Sequence, residues 1–387
     1  MRAVVYRGVN DLRLETVPVP RIGANELLVK VAVCGVCPTD IKKIQHGTVP
    51  PPRIFGHETA GTIVQIGRQK AEGRRQKSHS AIRTPHSEFR LGDRVALHHH
   101  VPCGDCHFCR HASFAQCETY KRTGITAGFE PAGGGYAEYV RVMPFVLPGV
   151  VKIPAKNSFA EGAMLEPVNT ILKAVRRLNL LPGDAVLVAG QGPIGLMFTR
   201  ILQLQGIRVL ATDLLESRLK LARKFGAKWT FNVGHASAKD ASASPMRAGR
   251  TPALHSTSFD AAIIAVPSDD AVLQALQLVR GGGQVLLFAH TKRNKLGIGN
   301  RKSENFPLSV SAFSLDLASI CLDEKDLIGS YSSDFTLQAE VARLVFSRRL
   351  DVRGLISHYF PLEQTPAAIV LASRPSPDSL KILIRIH

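Results

Sequence analysis

Apolar and polar positions follow two different patterns along the chain. Through the first 60 residues, short β-branched apolar runs such as LLVKVAVCGV and HETAGTIVQIG predict strands separated by turns. Beyond Glu166, the apolar strands AVLVAG and IRVLATD alternate with the helical stretches PIGLMFTRILQLQG and SRLKLARKFGA. Strands that alternate with helices are typical of a parallel, doubly wound sheet, so we predict an α/β protein.

The length and these two patterns together predict two domains. The chain has 387 residues, which is more than one ordinary hydrophobic core organises. The ending HYFPLEQTPAAIVLASRPSPDSLKILIRI returns to strand and helix patterns too short for a third domain, so we expect it to complete the first. Three stretches follow neither pattern, and we interpret them as surface insertions or loops. They are residues 68–88, 235–258 and 292–302, which are rich in Arg, Lys, Ser or Ala.

The formal net charge of +18 raises the question of a polyanionic partner. Residues 68–90 contain seven Lys or Arg and two Glu, and residues 292–302 contain five basic residues and no acid. Neither stretch has interleaved aromatic residues or a helical stripe, so solvated basic loops are favoured over a nucleic-acid surface. The sequence also lacks an apolar run near the ~18 residues that cross a bilayer, and its start lacks the apolar centre of a signal peptide. We therefore expect a cytoplasmic protein with no membrane or nucleic-acid partner.

The segment VLVAGQGPIGL has the glycine spacing of a dinucleotide-binding turn. It follows a predicted strand and opens a predicted helix, so the glycines allow a tight turn, close approach of a pyrophosphate and close packing of helix on strand. Asp213 ends the next strand, where a carboxylate accepts hydrogen bonds from a ribose 2′-OH and so favours NAD. Arg218 is close enough in sequence to leave NADP as the minor alternative. The candidate cofactor-binding residues are Gly190, Gly192, Pro193, Ile194, Gly195, Asp213 and Arg218.

Four clustered cysteines predict a structural metal site. They are Cys103, Cys106, Cys109 and Cys117. Four thiolates form a closed tetrahedral shell, which suits structural zinc and leaves no position for a substrate. The last gap does not match the spacing of a ferredoxin-type cluster. Five histidines lie within or beside this segment, but no spacing forces them into a shared site, so we assign them no role.

A second candidate metal set is scattered along the chain. It consists of Cys37, His57, Glu58 and Glu166. Each residue alone is a weak signal, since a cysteine beside an apolar strand is usually core and a glutamate is usually solvated. Together, three or four mixed S, N and O ligands with one open position are what a catalytic zinc requires. Asp40 is placed to hold the ring of His57 as a hydrogen-bond partner, and Thr39 lies beside it.

In combination, these residues resemble those of the zinc-dependent medium-chain alcohol dehydrogenase superfamily. The matching segments are CGVCPTD, GHE, the four-cysteine segment, LEPVN, GQGPIG with TDLLESRLKLARKFGA, and LISHYFPLEQTPAAI. They cover most of the chain apart from the stretches near 68–88, 235–257 and 290–305. The resemblance implies a split GroES-like, mostly-β catalytic domain over residues 1–165 and 333–387, with a Rossmann NAD-binding domain over residues 166–332 between its parts. By analogy it also implies a homodimer or homotetramer.

The resemblance implies roles for individual residues. Cys37 and His57 match ligands of a catalytic zinc, and Glu58 matches an acid that binds this zinc directly or lies next to its ligands. Glu166 stands where the alcohol dehydrogenases proper have a third cysteine ligand. The Glu-Pro pair there looks like the polyol (sorbitol-type) and threonine dehydrogenase branch. Thr39 matches the hydroxyl that takes the proton from the substrate alcohol, and the four clustered cysteines match the structural zinc lobe.

The resemblance implies a zinc-dependent enzyme that transfers hydride from a secondary alcohol to NAD. The expected substrate is a polyol. An L-threonine 3-dehydrogenase type and a phosphorylated-polyol dehydrogenase remain open, the latter because the basic segment HTKRNKLGIGNRK would suit a phosphate. Two other classes are a zinc-stabilised nucleic-acid-binding protein and an NAD-binding regulator without catalysis. One departure from the family is Lys42, where many relatives have a histidine, so the onward path of the proton is not implied. We do not assign that path to the nearby His46.

Overall fold

The computed structural model describes residues 1–67, 88–98, 101–123, 134–234, 259–289, 317–374 and 376–387. The insertion predicted at 235–258 and the basic loop predicted at 292–302 lie outside the described residues, as does the insertion predicted at 68–88 except for Glu88. Two compact units are present. The first comprises Met1–Lys173 and Tyr331–His387, and the second comprises Ala174–Ser330. Both ends of the chain therefore build the first unit.

The first unit contains two sheets. Its strands are β1 (Arg2–Gly8), β2 (Asp11–Thr16), β3 (Leu27–Gly35), β4 (Arg53–Ile54), β5 (Glu58–Ile66), β6 (Arg94–Leu97), β7 (Tyr139–Val142), β8 (Val151–Lys152), β15 (Ile356–Pro361) and β16 (Lys381–Arg385). The small sheet has the order β2-β1-β4. The larger sheet has the order β15-β16-β3-β5-β6-β8, and β7 also pairs with β3. The late strand β16 thus lies directly beside β3, which brings the C-terminal segment into the sheet formed by the beginning of the chain.

Helices of the first unit connect and cover these strands. They are α1 (Pro38–His46), α2 (His107–Arg110), α3 (Glu118–Thr123), α4 (Phe159–Ala163), α5 (Leu165–Val175, which runs into the second unit), α10 (Gln338–Phe346) and α11 (Thr365–Ser373). The core combines buried apolar side chains from strands distant in sequence, including Val4, Val29, Ile63, Val140 and Ile384. Pairing between such distant strands makes this core depend on long-range register.

The second unit is the doubly wound sheet that the sequence predicts. Its strands are β9 (Ala185–Ala189), β10 (Arg208–Asp213), β11 (Trp229–Asn232), β12 (Phe259–Ile264), β13 (Val279–Leu287) and β14 (Asp326–Gly329). Its helices are α6 (Pro193–Leu204), α7 (Glu216–Lys224), α8 (Asp269–Leu278) and α9 (Leu317–Leu322). All neighbouring strands pair in parallel, in the order β11-β10-β9-β12-β13-β14. This is the Rossmann strand order, so the predicted parallel sheet is confirmed.

Burial along the second sheet explains its sequence pattern. Every residue of the central β9 is buried, as expected for a parallel strand covered on both faces. The outer strand β14 is mostly exposed, and its residues are less uniformly apolar. The core includes Leu187, Leu210, Ile264, Leu276 and Val285. Within the described ranges, no helix combines the length and the apolar character needed to cross a membrane.

A buried carboxylate fixes the start of α4 in the first unit. Ser158 Oγ accepts a hydrogen bond from Glu161 N at 3.1 Å, and Ser158 N donates to Glu161 Oε2 at 2.7 Å, which completes a capping box. Asn157 Nδ2 and Arg348 Nε also donate to Glu161 Oε1, at 2.9 and 3.0 Å. Burial raises the pKa of Glu161, but the hydrogen bonds from Ser158 N, Arg348 and Asn157 outweigh it and lower this pKa to about 2.

We expect Glu161→Gln to remove stability that depends on pH. Because the pKa of Glu161 is lower in the folded chain than its ordinary value, its contribution is present above about pH 5 and is lost as the pH falls toward 2. At pH 7 the substitution should reduce the free energy of unfolding by about 2 kcal/mol, typical of hydrogen bonds to a charged group. Urea unfolding at pH 7, 5 and 3 should show the gap to the wild type closing. Glu363→Gln, at an exposed glutamate, is the control. Equal destabilisation at pH 7 and pH 3 would contradict this account.

Candidate active site

Two groups of side chains in the described residues are arranged to hold a metal ion. Cys37, His57 and Glu58 offer ligand atoms that all lie within 4.8 Å of one another. The four clustered cysteines do the same. Both groups belong to the first unit. Cys37, His57 and Glu58 form the mixed group, whose sulfur, nitrogen and oxygen donors suit an open, reactive metal.

Two neighbouring strands bring the mixed group together. Cys37 follows β3 and stands at the N-cap of α1, while His57 and Glu58 stand at the beginning of β5. β3 and β5 are antiparallel, and their register places Gly35 opposite Glu58. The end of β3 therefore meets the start of β5. Cys37 and His57, 20 positions apart in sequence, come together at these strand ends.

Asp40 orients the candidate histidine ligand. Its Oδ1 lies 3.2 Å from His57 Nδ1, and both side chains are buried. Burial raises the pKa of Asp40, but the charge of His57 and this hydrogen bond hold it below its ordinary value. A positive charge on the ring, whether a proton or a metal ion at Nε2, is therefore stabilised by Asp40. This is the pairing that the sequence predicts for Asp40.

A buried ion pair holds Glu58. Lys381 Nζ lies 2.5 Å from Glu58 Oε1, also pairs with Oε2, and donates to Val36 O at 3.0 Å. Burial raises the pKa of Glu58, and the Lys381 ammonium opposes that rise. Burial lowers the pKa of Lys381, but the charge of Glu58 raises it above its ordinary value. Gly35 makes room for the pair, because a Cβ atom there would overlap Glu58 Oε2.

The structure places the other predicted residues around this group. Glu166 is the second residue of α5 and is only 4% exposed, but it is not among the three side chains within 4.8 Å of one another. Its charge acts on both Glu58 and Lys381, so it lies near the group. Thr39 is partly buried in the first turn of α1. Lys42, on the same helix, is partly buried, and burial lowers its pKa while the charge of Cys37 opposes this.

The four clustered cysteines form a compact sulfur site around α2. Cys109 Sγ lies 3.4 Å from Cys106 Sγ and 3.9 Å from Cys103 Sγ. Backbone N–H groups point at the sulfur atoms, as Cys103 N donates to Cys117 Sγ at 3.3 Å. Burial raises the pKa of Cys103, but N–H groups of Asp105 and Cys106 outweigh it and lower this pKa to about 6. Four converging sulfur atoms, with backbone N–H groups directed at them, fit a closed zinc shell.

The glycine turn of the second unit fits a dinucleotide. Gly190 has a φ of 90°, which favours glycine, and a Cβ at Gly195 would overlap Gly190 O. A Cβ at Gly192 would meet nothing within 4 Å, so open space lies where a pyrophosphate approaches. Pro193 opens α6, followed by Ile194, and the N-cap Gly192 leaves the first N–H groups without a side-chain cap. Each glycine therefore has the geometry that its position in the turn requires.

Asp213 is held beside this turn by two backbone donors. Gln191 N donates to its Oδ2 at 2.6 Å, and Leu215 N donates to its Oδ1 at 2.9 Å. The carboxylate is 8% exposed and ends β10. Arg218 Nη1 lies 4.0 Å from Asp213 Oδ2, and its side chain is largely buried instead of facing solvent. The carboxylate is thus fixed at the carboxyl end of the strand next to the turn.

Sequence reasoning missed two residues. Lys381 carries no motif and lies 323 positions beyond Glu58, so only the register of β16 beside β3 reveals it. Tyr331 begins the second segment of the first unit, and the charges of His57, Cys37 and Glu166 act on its hydroxyl. Neither residue has a spacing that a sequence pattern would detect.

Comparisons with known proteins show which family the chain resembles. A family model described as the alcohol dehydrogenase GroES-like domain matches residues 23–155, and one described as zinc-binding dehydrogenase matches residues 193–346. A sorbitol dehydrogenase of Bombyx mori is 27% identical, with 100% of this chain and 98% of that protein covered. A probable D-xylulose reductase A of Emericella nidulans is 29% identical, with 94% and 91% covered. A solved putative zinc-binding dehydrogenase from Sinorhizobium meliloti, bound to NADP, has a TM-score of 0.77 and 26% identity, with 100% and 99% covered.

We expect Gly35→Ala to disrupt the mixed group. The added Cβ must displace the Glu58 carboxylate, which separates it from Lys381 and leaves a buried charge without its partner. Breaking such a pair should reduce the free energy of unfolding by about 3 kcal/mol. Gly8→Ala is a matched control, because a Cβ at Gly8 meets nothing within 4 Å. Urea unfolding of both variants measures the difference. Similar stabilities for the two would show that Glu58 does not depend on Gly35.

Proposed function

The chain belongs to the zinc-dependent medium-chain alcohol dehydrogenase superfamily, and we propose that it oxidises a polyol at a secondary alcohol, with NAD as the hydride acceptor. The observation that carries this proposal is the mixed group of Cys37, His57 and Glu58 in a chain that also has a complete dinucleotide turn. The sorbitol dehydrogenase and D-xylulose reductase relatives support a polyol as the substrate. The Glu-Pro pair at Glu166 points to the same branch.

The residues present fit the two zinc ions that the family implies. A catalytic ion would be held by Cys37, His57 and Glu58, with Glu166 as a further acid near the group. The three buried carboxyl groups of Asp40, Glu58 and Glu166 outnumber the ammonium of Lys381 and the ring of His57, so a divalent cation suits the site. The structural ion would be held by the four clustered cysteines. Two zinc ions per chain are therefore expected.

Different residues of the chain would orient the ligands, take the proton and bind the cofactor. A bound zinc would polarise the alcohol and a bound nicotinamide would accept its hydride. Asp40 fixes the orientation of His57, and Lys381 fixes that of Glu58, so both side chains are in place before substrate arrives. Thr39 would take the proton from the substrate hydroxyl. Gly192 and the first N–H groups of α6 would bind the pyrophosphate, and Asp213 would bind the ribose.

We expect Cys37→Ser to abolish the reaction and remove one zinc ion. Losing a thiolate ligand should lower kcat/KM by roughly three orders of magnitude, since metal catalysis supplies several kcal/mol. The assay is NAD reduction over polyols, simple secondary alcohols and L-threonine, with zinc measured per chain. Cys321→Ser, at an exposed cysteine on α9, is the control and should keep both ions and full activity. Full activity of folded Cys37→Ser protein, or activity on L-threonine alone, would overturn the proposal.

We expect Asp213→Asn to weaken the preference for NAD over NADP. The charged carboxylate accepts hydrogen bonds from a ribose diol and repels a 2′-phosphate, and the amide does neither as well. The ratio of kcat/KM values for NAD and NADP should fall by about tenfold or more, as expected from a charge-assisted hydrogen bond. Asp260→Asn is the control, because Asp260 pairs with Arg280 and stands on β12. An unchanged ratio in Asp213→Asn would remove Asp213 from cofactor selection.

A further inference from the structure

The segment that begins at Tyr331 is clamped to the helix that carries Glu166. Lys173 Nζ donates to Tyr331 O at 2.8 Å. Asn169 Nδ2 donates to Asp334 O at 2.9 Å, and Asp334 N donates to Asn169 Oδ1 at 2.8 Å. Glu166, Asn169 and Lys173 are spaced three and seven positions apart on α5, so they share one face of the helix. This segment therefore runs along the same helix face as Glu166.

A second set of contacts holds the segment from its other side. Ser333 is 1% exposed, and its Oγ lies 3.3 Å from Nε2 of the buried His98. The ring of Phe335 packs edge-on against Phe114, with centroids 5.4 Å apart. Ser332 has a φ of 63°, a left-handed conformation that costs a residue other than glycine about 1 kcal/mol. Such a conformation persists where surrounding contacts fix it, which is typical of functional segments.

Tyr331 places a phenol at the start of this segment. The residue is 50% exposed, and no hydrogen bond to its hydroxyl is found among the described residues. Burial raises its pKa, the charge of His57 lowers it, and the charges of Cys37, Glu166 and Asp40 raise it further. The net rise in pKa keeps the hydroxyl protonated. Because the charges of His57 and Cys37 act on it, the hydroxyl lies near the mixed group. A neutral O–H carried by a segment that is held in place, near a reactive centre, is suited to bind a polar group of the substrate.

We propose that Tyr331 determines specificity by binding a second hydroxyl of the substrate, next to the carbon that is oxidised. This inference rests on the proposed function and names the part of the substrate that the site recognises. A phenol both donates and accepts hydrogen bonds, as a substrate hydroxyl does. The nearby carboxylates of Glu166 and Asp40 would repel a phosphate at this position, so the geometry favours an uncharged diol unit over a phosphorylated one.

Tyr331→Phe tests the inference on two substrates that differ only in the second hydroxyl, 2,3-butanediol and 2-butanol. We expect kcat/KM for the diol to fall about tenfold, which corresponds to one neutral hydrogen bond, mainly through a higher KM. The value for 2-butanol should stay unchanged. Tyr359→Phe is the matched control, because Tyr359 is also a half-exposed tyrosine, on β15, and stacks with Arg385. Thermal unfolding should give the same midpoint for both variants and the wild type.

The outcomes separate the two proposals. If the wild type oxidises both alcohols and Tyr331→Phe lowers both equally or neither, the role of Tyr331 is wrong while the proposed function stands. If the wild type reduces NAD with no alcohol, the proposed function fails and the inference fails with it. A diol-specific loss in Tyr359→Phe would show that the effect does not belong to Tyr331.

Discussion

The buried ion pair between Glu58 and Lys381 is the constraint on which the first unit depends. Both side chains are almost fully buried, and removing two charges from water costs several kcal/mol per ion unless their geometry is good. The pair forms only if β16 lies beside β3 and β3 lies beside β5, with Gly35 leaving room at their junction. The two ends of the chain must therefore meet in one sheet before this charge can be buried.

The same pair sets the electrostatics of the candidate active site. Lys381 also donates to Val36 O, one residue before Cys37. A single ammonium group therefore connects the backbone next to Cys37 with the carboxylate of Glu58. Asp40 orients His57 in a similar way, through the hydrogen bond between its Oδ1 and His57 Nδ1. The surplus of negative charge that remains is buried, which is unfavourable in the absence of a cation. A divalent metal bound at the mixed group would balance this charge.

The sequence predicts those features whose residues lie close together along the chain. The glycine turn and the four cysteines are each encoded within a short segment, so spacing alone indicates their geometry, and the alternating pattern predicts the parallel sheet that the structure confirms. Cys37, His57, Glu58 and Glu166 form a candidate set only through the chemistry of their donor atoms, and the family resemblance supplies their roles, because no spacing relates them. Lys381 and Tyr331 were missed since their positions depend on strand register and on contacts across more than 150 residues.

The four-cysteine segment has a physical connection to the candidate active site that its sequence does not reveal. Tyr120 packs against Cys109 and Cys117. Burial raises its pKa, and the charges of Tyr331 and Glu166 raise it further, so Tyr120 lies near these two residues as well as near the sulfur cluster. Phe114, in the four-cysteine segment, packs against Phe335, which belongs to the segment that begins at Tyr331. A metal bound by the four cysteines would hold this packing in place, so a site that is closed to substrate would still help to position Tyr331, the residue proposed to bind it.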